Sequence, residues 1–254
     1  MQHKKNLGQH FLKDQNVIDK LVKYINPTAS DVIIEIGPGD GAMTKSIANK
    51  VAKITVIEKD SDLINTLKEI LVNKPDSHII NQDILKYDLN SLREPTRIIG
   101  NLPYNISTEI IFKICRCNEI IDMHFMLQKE VVDRIVSEPN SKIYGRLSVM
   151  VQAYFTIKKL FDISENVFLP KPKVKSSFIK LEPKENVFDN ENHEIIFYDI
   201  VKSAFEGRRK MIRSSLGSYL KESDFTILNI HDQLRAENLT VDNFIQISKY
   251  VEKI

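Results

Sequence analysis

The segment that most constrains this chain is Val32-Ile33-Ile34-Glu35-Ile36, which runs without a gap into Gly37-Pro38-Gly39-Asp40-Gly41. Five mostly β-branched, apolar residues suit a short strand buried on both faces. Three glycines in the next five residues allow a tight turn that side chains would obstruct. Behind the turn, Met43, Ile47, Ala48 and Val51 fall at helical spacing. Strand, glycine turn and helix form one α/β unit, and the chain repeats it. Ile54–Ile57, His78–Ile80, Arg97–Gly100 and Met123–Leu127 read as further strands, with helical stretches over 63–71 and from Ser107 between them. An amphipathic helix over 14–25 precedes the first unit. This alternation predicts a doubly wound, mostly parallel, Rossmann-like sheet with its ligands at the C-terminal strand ends.

Beyond Lys158 the pattern changes. Strand-like runs at 158–163 and 176–181 flank Phe168-Leu169-Pro170-Lys171-Pro172, residues 182–192 are polar and break-rich, and the remainder is helical in period. The expected organisation is an α/β domain over 1–182 and a small all-α domain over 193–254. Cys115 and Cys117 lie two apart with no His or Cys cluster, so neither a disulfide scaffold nor a zinc module is expected, and no metal. No apolar run nears the ~18 residues of a membrane span, and Met1–Lys5 precede no apolar leader core. A cytoplasmic protein without a membrane partner is expected.

The glycine spacing is G-x-G-x-G (37, 39, 41), not the G-x-G-x-x-G of a dinucleotide loop. Glu35 and Asp40 would repel a pyrophosphate but suit a cofactor that carries an ammonium and a sulfonium. S-adenosylmethionine has both. Glu58 closes the second strand, where a carboxylate can accept two ribose hydroxyls, and Asp83 after the third is placed for the adenine amino group. Each could instead be a helix N-cap, but three in order mark a cofactor site.

Asn101-Leu102-Pro103-Tyr104 follows the fourth strand. An aromatic amine has its lone pair delocalised into the ring. Accepting both its N–H protons, on the Asn oxygen and the Leu102 carbonyl, aims that lone pair at a methyl donor. Pro103 stiffens the backbone and offers no competing N–H, and Tyr104 gives a face for a base to stack on.

The chain resembles, over nearly its whole length, the ribosomal RNA adenine N6,N6-dimethyltransferases, specifically the branch acting on the small subunit. Gln9-His10-Phe11-Leu12, the 35–41 loop, Glu58, Asp83 and Asn101 carry the likeness, together with Met126–Val131, Tyr144–Ser148, Phe168–Val174 and Arg208-Arg209-Lys210. His10 stands where the family often has Asn, and Lys171 where it often has Pro.

The resemblance implies a class I S-adenosylmethionine-dependent methyltransferase. His10, Leu12, Glu35, Gly37, Gly39, Gly41, Glu58, Asp83 and Asn101 would hold the cofactor. Asn101, Leu102, Pro103, Tyr104 and Phe168 would form the chemical site, with Phe168 closing over the base opposite Tyr104. It further implies a monomer that dimethylates two adjacent adenosines in the 3′-terminal hairpin loop of small-subunit (16S) rRNA, on an assembling subunit.

Net charge is only +2, but six lysines lie between 158 and 180 against Asp162 and Glu165, and four positive charges lie within 208–213. Lys171, Lys173, Arg208, Arg209, Lys210 and Arg213 are therefore the expected RNA contacts. The alternatives are a large-subunit adenine methyltransferase of the antibiotic-resistance type and a mainly non-catalytic assembly factor. Phe168–Val174 and the 208–210 run favour the small-subunit branch. A DNA adenine methyltransferase fits less well, because Leu102 stands where it would typically have a proline.

Overall fold

A computed structural model describes residues 9–115, 117, 119–185, 187–207 and 209–254. The chain divides into two compact units: residues up to Val132 with Ile157–Pro183, and Asp133–Thr156 with Lys184–Ile254.

The first unit opens with β1 (Phe11–Leu12) and α1 (Gln15–Ile25). Asp14 caps α1 by accepting from the Val17 amide, Asn26 ends it in the left-handed region (φ 49°), and Ile18, Leu21, Val22 and Ile25 turn inward. The α/β units follow as β2 (Val32–Ile36), α2 (Ala42–Ile47), β3 (Lys53–Glu58), α3 (Ile64–Ile70), β4 (Ser77–Asn81), β5 (Thr96–Asn101), α4 (Ser107–Ile114) and β6 (Ile120–Gln128). Next come α5 (Lys129–Ile135), α6 (Arg146–Tyr154), β7 (Phe155–Ile163), β8 (Phe168–Leu169) and β9 (Ser176–Pro183). Seven strands form one sheet in the order β4-β3-β2-β5-β6-β9-β7. From β4 to β6 all neighbours are parallel, and β9 joins antiparallel to β6. Ile36 lies opposite Ile57 on one side and Gly100 on the other, so the ends of β2, β3 and β5 are level. The doubly wound, mostly parallel sheet is the one the alternation predicts.

Two short strands, unforeseen in the sequence, form a separate antiparallel ribbon, with Phe11 opposite Leu169 and Leu12 opposite Phe168. Strand side chains alternate faces and directly paired residues share one. Leu12 and Phe168 thus enter the core together, at 4% exposure each, beside Ile163 and Phe178.

The second unit holds α6 and the later helices α7 (Glu191–Glu206), α8 (Ile212–Ser215), α9 (Glu222–Ile227) and α10 (Val241–Val251). Its extent differs from the expected 193–254 because α6 belongs to it. Val149, Met150 and Ala153 of α6 share one buried cluster with Phe197, Ile200 and Val201 of α7 and Phe244 of α10. A helix whose apolar stripe is covered by later helices belongs with them, whatever its place in the chain. Among the described residues no helix is long and apolar enough to cross a membrane.

Candidate active site

A cleft of about 290 Å³ opens at the C-terminal edge of the first unit's sheet, and four strand ends supply its polar groups. Glu35, fourth in β2, is 1% exposed. Its Oε2 accepts from Thr44 Oγ1 on α2 (2.6 Å), while Oε1 is buried with no hydrogen-bond partner among the described residues. Burial pushes the carboxyl up to about 7, against the opposing pull of the Thr44 hydroxyl. A buried carboxyl with half its acceptors unused is costly to keep unless a ligand uses it.

The turn beyond it sits in the left-handed region at Gly37, Gly39 and Gly41 (φ +64°, +61° and +80°). A Cβ on Gly39 would stand 2.8 Å from the Phe11 ring, and one on Gly41 would run into Ile70 of α3. Gly37 and Gly39 line the cleft, but Gly41 does not. Gly41 starts α2, and its lack of a side chain lets Ile70 of α3 pack close.

Glu58, last in β3, is 5% exposed. Its Oε2 accepts from the Gly39 amide (3.1 Å) and its Oε1 from the Asp60 amide (2.8 Å). Burial raises its carboxyl above the ordinary range, and these amides offset only part of that. The amides fix the orientation of the carboxylate and leave it acceptor capacity for a ligand. Asp83, two residues past β4, accepts from the Leu85 amide on Oδ1 (3.0 Å) and from Lys59 Nζ on Oδ2 (2.8 Å). The Lys59 contact holds this carboxyl below its usual value. Asp83 is therefore a cap and a cleft residue at once.

Asn101 closes β5, and its Nδ2 donates to the His10 carbonyl (2.8 Å). An amide whose NH2 is engaged by a carbonyl presents Oδ1 as its remaining acceptor, and Oδ1 has no partner among the described residues. The next residue, Leu102, is anchored by its own amide to the Met126 carbonyl (3.2 Å). Pro103 and Tyr104 line the same cleft, as do His10 and Leu12. His10 Nδ1 donates to the Pro170 carbonyl (2.7 Å), and its ring lies 5.7 Å from that of Tyr104 at 29°.

Phe168 is 4% exposed and packs in the core cluster that also holds Leu12, its partner in the ribbon. The outward residue of that strand is Leu169, 53% exposed.

Several contacts at the cleft escaped sequence reading. Gln9 Nε2 donates to Asp60 Oδ2 (3.0 Å), Lys13 pairs with Asp40 in the glycine turn, and Tyr104 Oη meets Ser176 Oγ. The segment 9–13 is thereby fastened across strand ends that lie far off in sequence. Only the Gln9-His10-Phe11-Leu12 motif hinted at it.

Of the expected RNA contacts, Lys171 and Lys173 are exposed, and Lys171 stands 3.5 Å from Glu165. In the second unit Arg209 and Lys210 are exposed between α7 and α8, with no ion pair among the described residues, while Arg213 pairs with Asp232 (3.1 Å). Arg208 lies outside the described residues. Asp189, His193 and Glu252 bring possible metal ligands within 4.8 Å of one another. Both His193 ring nitrogens are already engaged, by the Asp189 amide and Ser248 Oγ, and Lys249 pairs with Asp189.

The family model for ribosomal RNA adenine dimethylases matches residues 1–253. A ribosomal RNA small subunit methyltransferase A from Francisella tularensis subsp. novicida is 44% identical over 98% of this chain and 97% of its own. In fold, the chain is similar to a dimethyladenosine transferase from Plasmodium falciparum (TM-score 0.83, 22% identity, 96% of this chain and 98% of that one). It is also similar to the 23S rRNA methyltransferase ErmE (TM-score 0.75, 21% identity, 95% and 99%).

Proposed function

Because the chain belongs to the ribosomal RNA adenine dimethylase family, we propose that it dimethylates N6 of two adjacent adenosines in the 3′-terminal hairpin loop of small-subunit rRNA. It is an S-adenosylmethionine-dependent methyltransferase, and the cofactor supplies a methyl group on a cationic sulfur. The observation that carries the reading is Asn101, whose amide nitrogen is pinned to the His10 carbonyl so that Oδ1 is left to accept.

The cleft's donor set fits that cofactor. Glu35 Oε1, buried and unpartnered, takes an ammonium group. Glu58, oriented by the Gly39 and Asp60 amides, accepts both ribose hydroxyls. Asp83 faces the adenine amino group, and His10, Leu12, Gly37 and Gly39 close around the rest. At the chemical end Asn101 Oδ1 and the Leu102 carbonyl each accept one N–H of the target amine, and Tyr104 supports the base. No strong base is required, since the methylated amine sheds an acidic proton. Positioning and desolvation supply the rate, of which orientation alone can contribute about 7–11 kcal/mol.

An unpaired loop base reaches such a pocket at little unstacking cost. Lys171, Lys173, Arg209, Lys210 and Arg213 contact phosphates, the enzyme works as a monomer, and the assembling small subunit in the cytoplasm is its partner. The test is methyl transfer from labelled S-adenosylmethionine into small subunits lacking the modification, with large subunits, duplex DNA and Asn101→Ala in parallel. Label confined to small-subunit dimethyladenosine and absent with the variant supports the reading. Label in large-subunit rRNA, or subunit binding without transfer, overturns it.

A further inference from the structure

Tyr104 is held more firmly than a stacking residue on a loop needs to be. Its hydroxyl lies 2.7 Å from Ser176 Oγ. Ser176 opens β9, is fully buried, and sits in ladder register opposite Gln128 of β6. The hydroxyl that meets the ring is therefore built into the sheet rather than carried by a mobile loop. One face of the ring is backed by the His10 imidazole, which is itself tied through Nδ1 to the Pro170 carbonyl. A tyrosine side chain has two soft torsions. Anchoring its tip and covering one face removes both and leaves the other face as a platform.

We infer that Ser176 is a positioning residue for methyl transfer: its hydroxyl holds the Tyr104 ring at a fixed tilt, with His10 behind it, as the surface on which the target base is laid. The inference rests on the proposed function, in which Tyr104 supports the adenine. Ser176 touches neither cofactor nor base and acts only through Tyr104. Orientation at the reacting nitrogen depends on that tilt, so the tether shows in turnover rather than in cofactor affinity.

The experiment compares the wild type with Ser176→Ala, Tyr104→Phe and the double variant on unmodified small subunits. It records kcat and KM, with cofactor affinity and melting temperature beside them. Losing one hydroxyl–hydroxyl bond lowers kcat about three- to tenfold. Both single variants fall by this amount, the double falls no further than either, and cofactor affinity stays at the wild-type value, while loss of the buried bond lowers the melting temperature by no more than a few degrees. Losses that multiply in the double variant overturn the inference, as does a Ser176→Ala whose cofactor affinity falls with its rate. Should Ser176→Ala fail to fold, Tyr104→Phe removes the same tether without touching β9, and an undiminished kcat there is decisive against it. A wild type that does not methylate small subunits refutes the proposed function instead.

Discussion

The two ends of one sheet bury charge in opposite ways. At the C-terminal edge Glu35 and Glu58 lie inside with no cation paired to them among the described residues, and burial pushes both carboxyls up. At the other edge Arg97, second in β5, is saturated. Its Nε and Nη2 donate to Asp122 (2.8 and 3.0 Å), Nη1 donates to Asp31 (2.6 Å) and Nη2 to the Ile25 carbonyl (2.6 Å). Burial raises Asp31 too, yet the Thr28 amide and Arg97 outweigh it and leave its carboxyl low. A buried charge with every partner in place is part of the scaffold. One with an acceptor left over is kept for a ligand.

The hardest blow to that contrast is Arg97→Leu, which strands two acidic groups at the closed edge. Denaturant unfolding should show a loss of about 3–5 kcal/mol, while the folded fraction binds cofactor as before. A stable variant would mean that the saturated cluster is not structural. Next in size, Asn101→Ala at the open edge should cut turnover roughly 100-fold or more and leave the unfolding midpoint in place, so a large midpoint shift would blur the two edges.

Glu58→Gln keeps the shape but weakens two charge-assisted acceptors. Calorimetric titration should find S-adenosylmethionine bound about 10–100-fold more weakly. Glu35 sharpens the contrast through pH. Its carboxyl must be ionised to hold an ammonium and titrates at about 7. Cofactor affinity should therefore rise between pH 6 and pH 8, and Glu35→Gln should bind weakly and without that slope.

The smallest effect concerns a group that belongs to neither edge. His124 on β6 is 1% exposed, its ring nitrogens make no hydrogen bond among the described residues, and burial lowers its imidazole to about 4 although Asp122 lies 3.7 Å from Nδ1. In the unfolded chain it titrates near 6.5, so between those values the unfolded state holds more protons and stability falls as pH drops. His124→Leu should remove that acid slope and gain up to about 1 kcal/mol at neutral pH. A destabilised variant would show that the ring packs as the sheet requires.

How much of this could be read in advance follows from how local each signal is. The strands around Glu35, Glu58 and Asn101 announce themselves by continuous β-branched runs, and the turn by its glycines, because both effects act within a few residues. The groups proposed to hold the cofactor are legible for the same reason: each stands at or just past the end of such a run. The burial of Phe168 is not legible because its direction depends on pairing with Leu12, more than 150 residues earlier, and a two-residue strand carries no periodicity of its own. The packing role of Gly41 is not legible because glycine answers a steric need from Ile70 as readily as a ligand's. The extent of the second unit was hidden because the apolar stripe of α6 does not say which partner covers it.

That extent has a consequence for synthesis and for exchange. The chain leaves the first unit after Val132, returns at Ile157 and departs again after Pro183. As it is made, α6 emerges with Val149 and Met150 uncovered and waits for α7 and α10 to arrive. Meanwhile the sheet lacks β9, the strand that lies between β6 and β7. Each unit is finished only after the other has been started, so the nascent protein carries two incomplete apolar surfaces at once, the condition in which aggregation competes with folding. Cutting the chain at Pro183 would not release a free-standing enzyme core, and grafting a relative's helical part would succeed only if both of its segments travelled together.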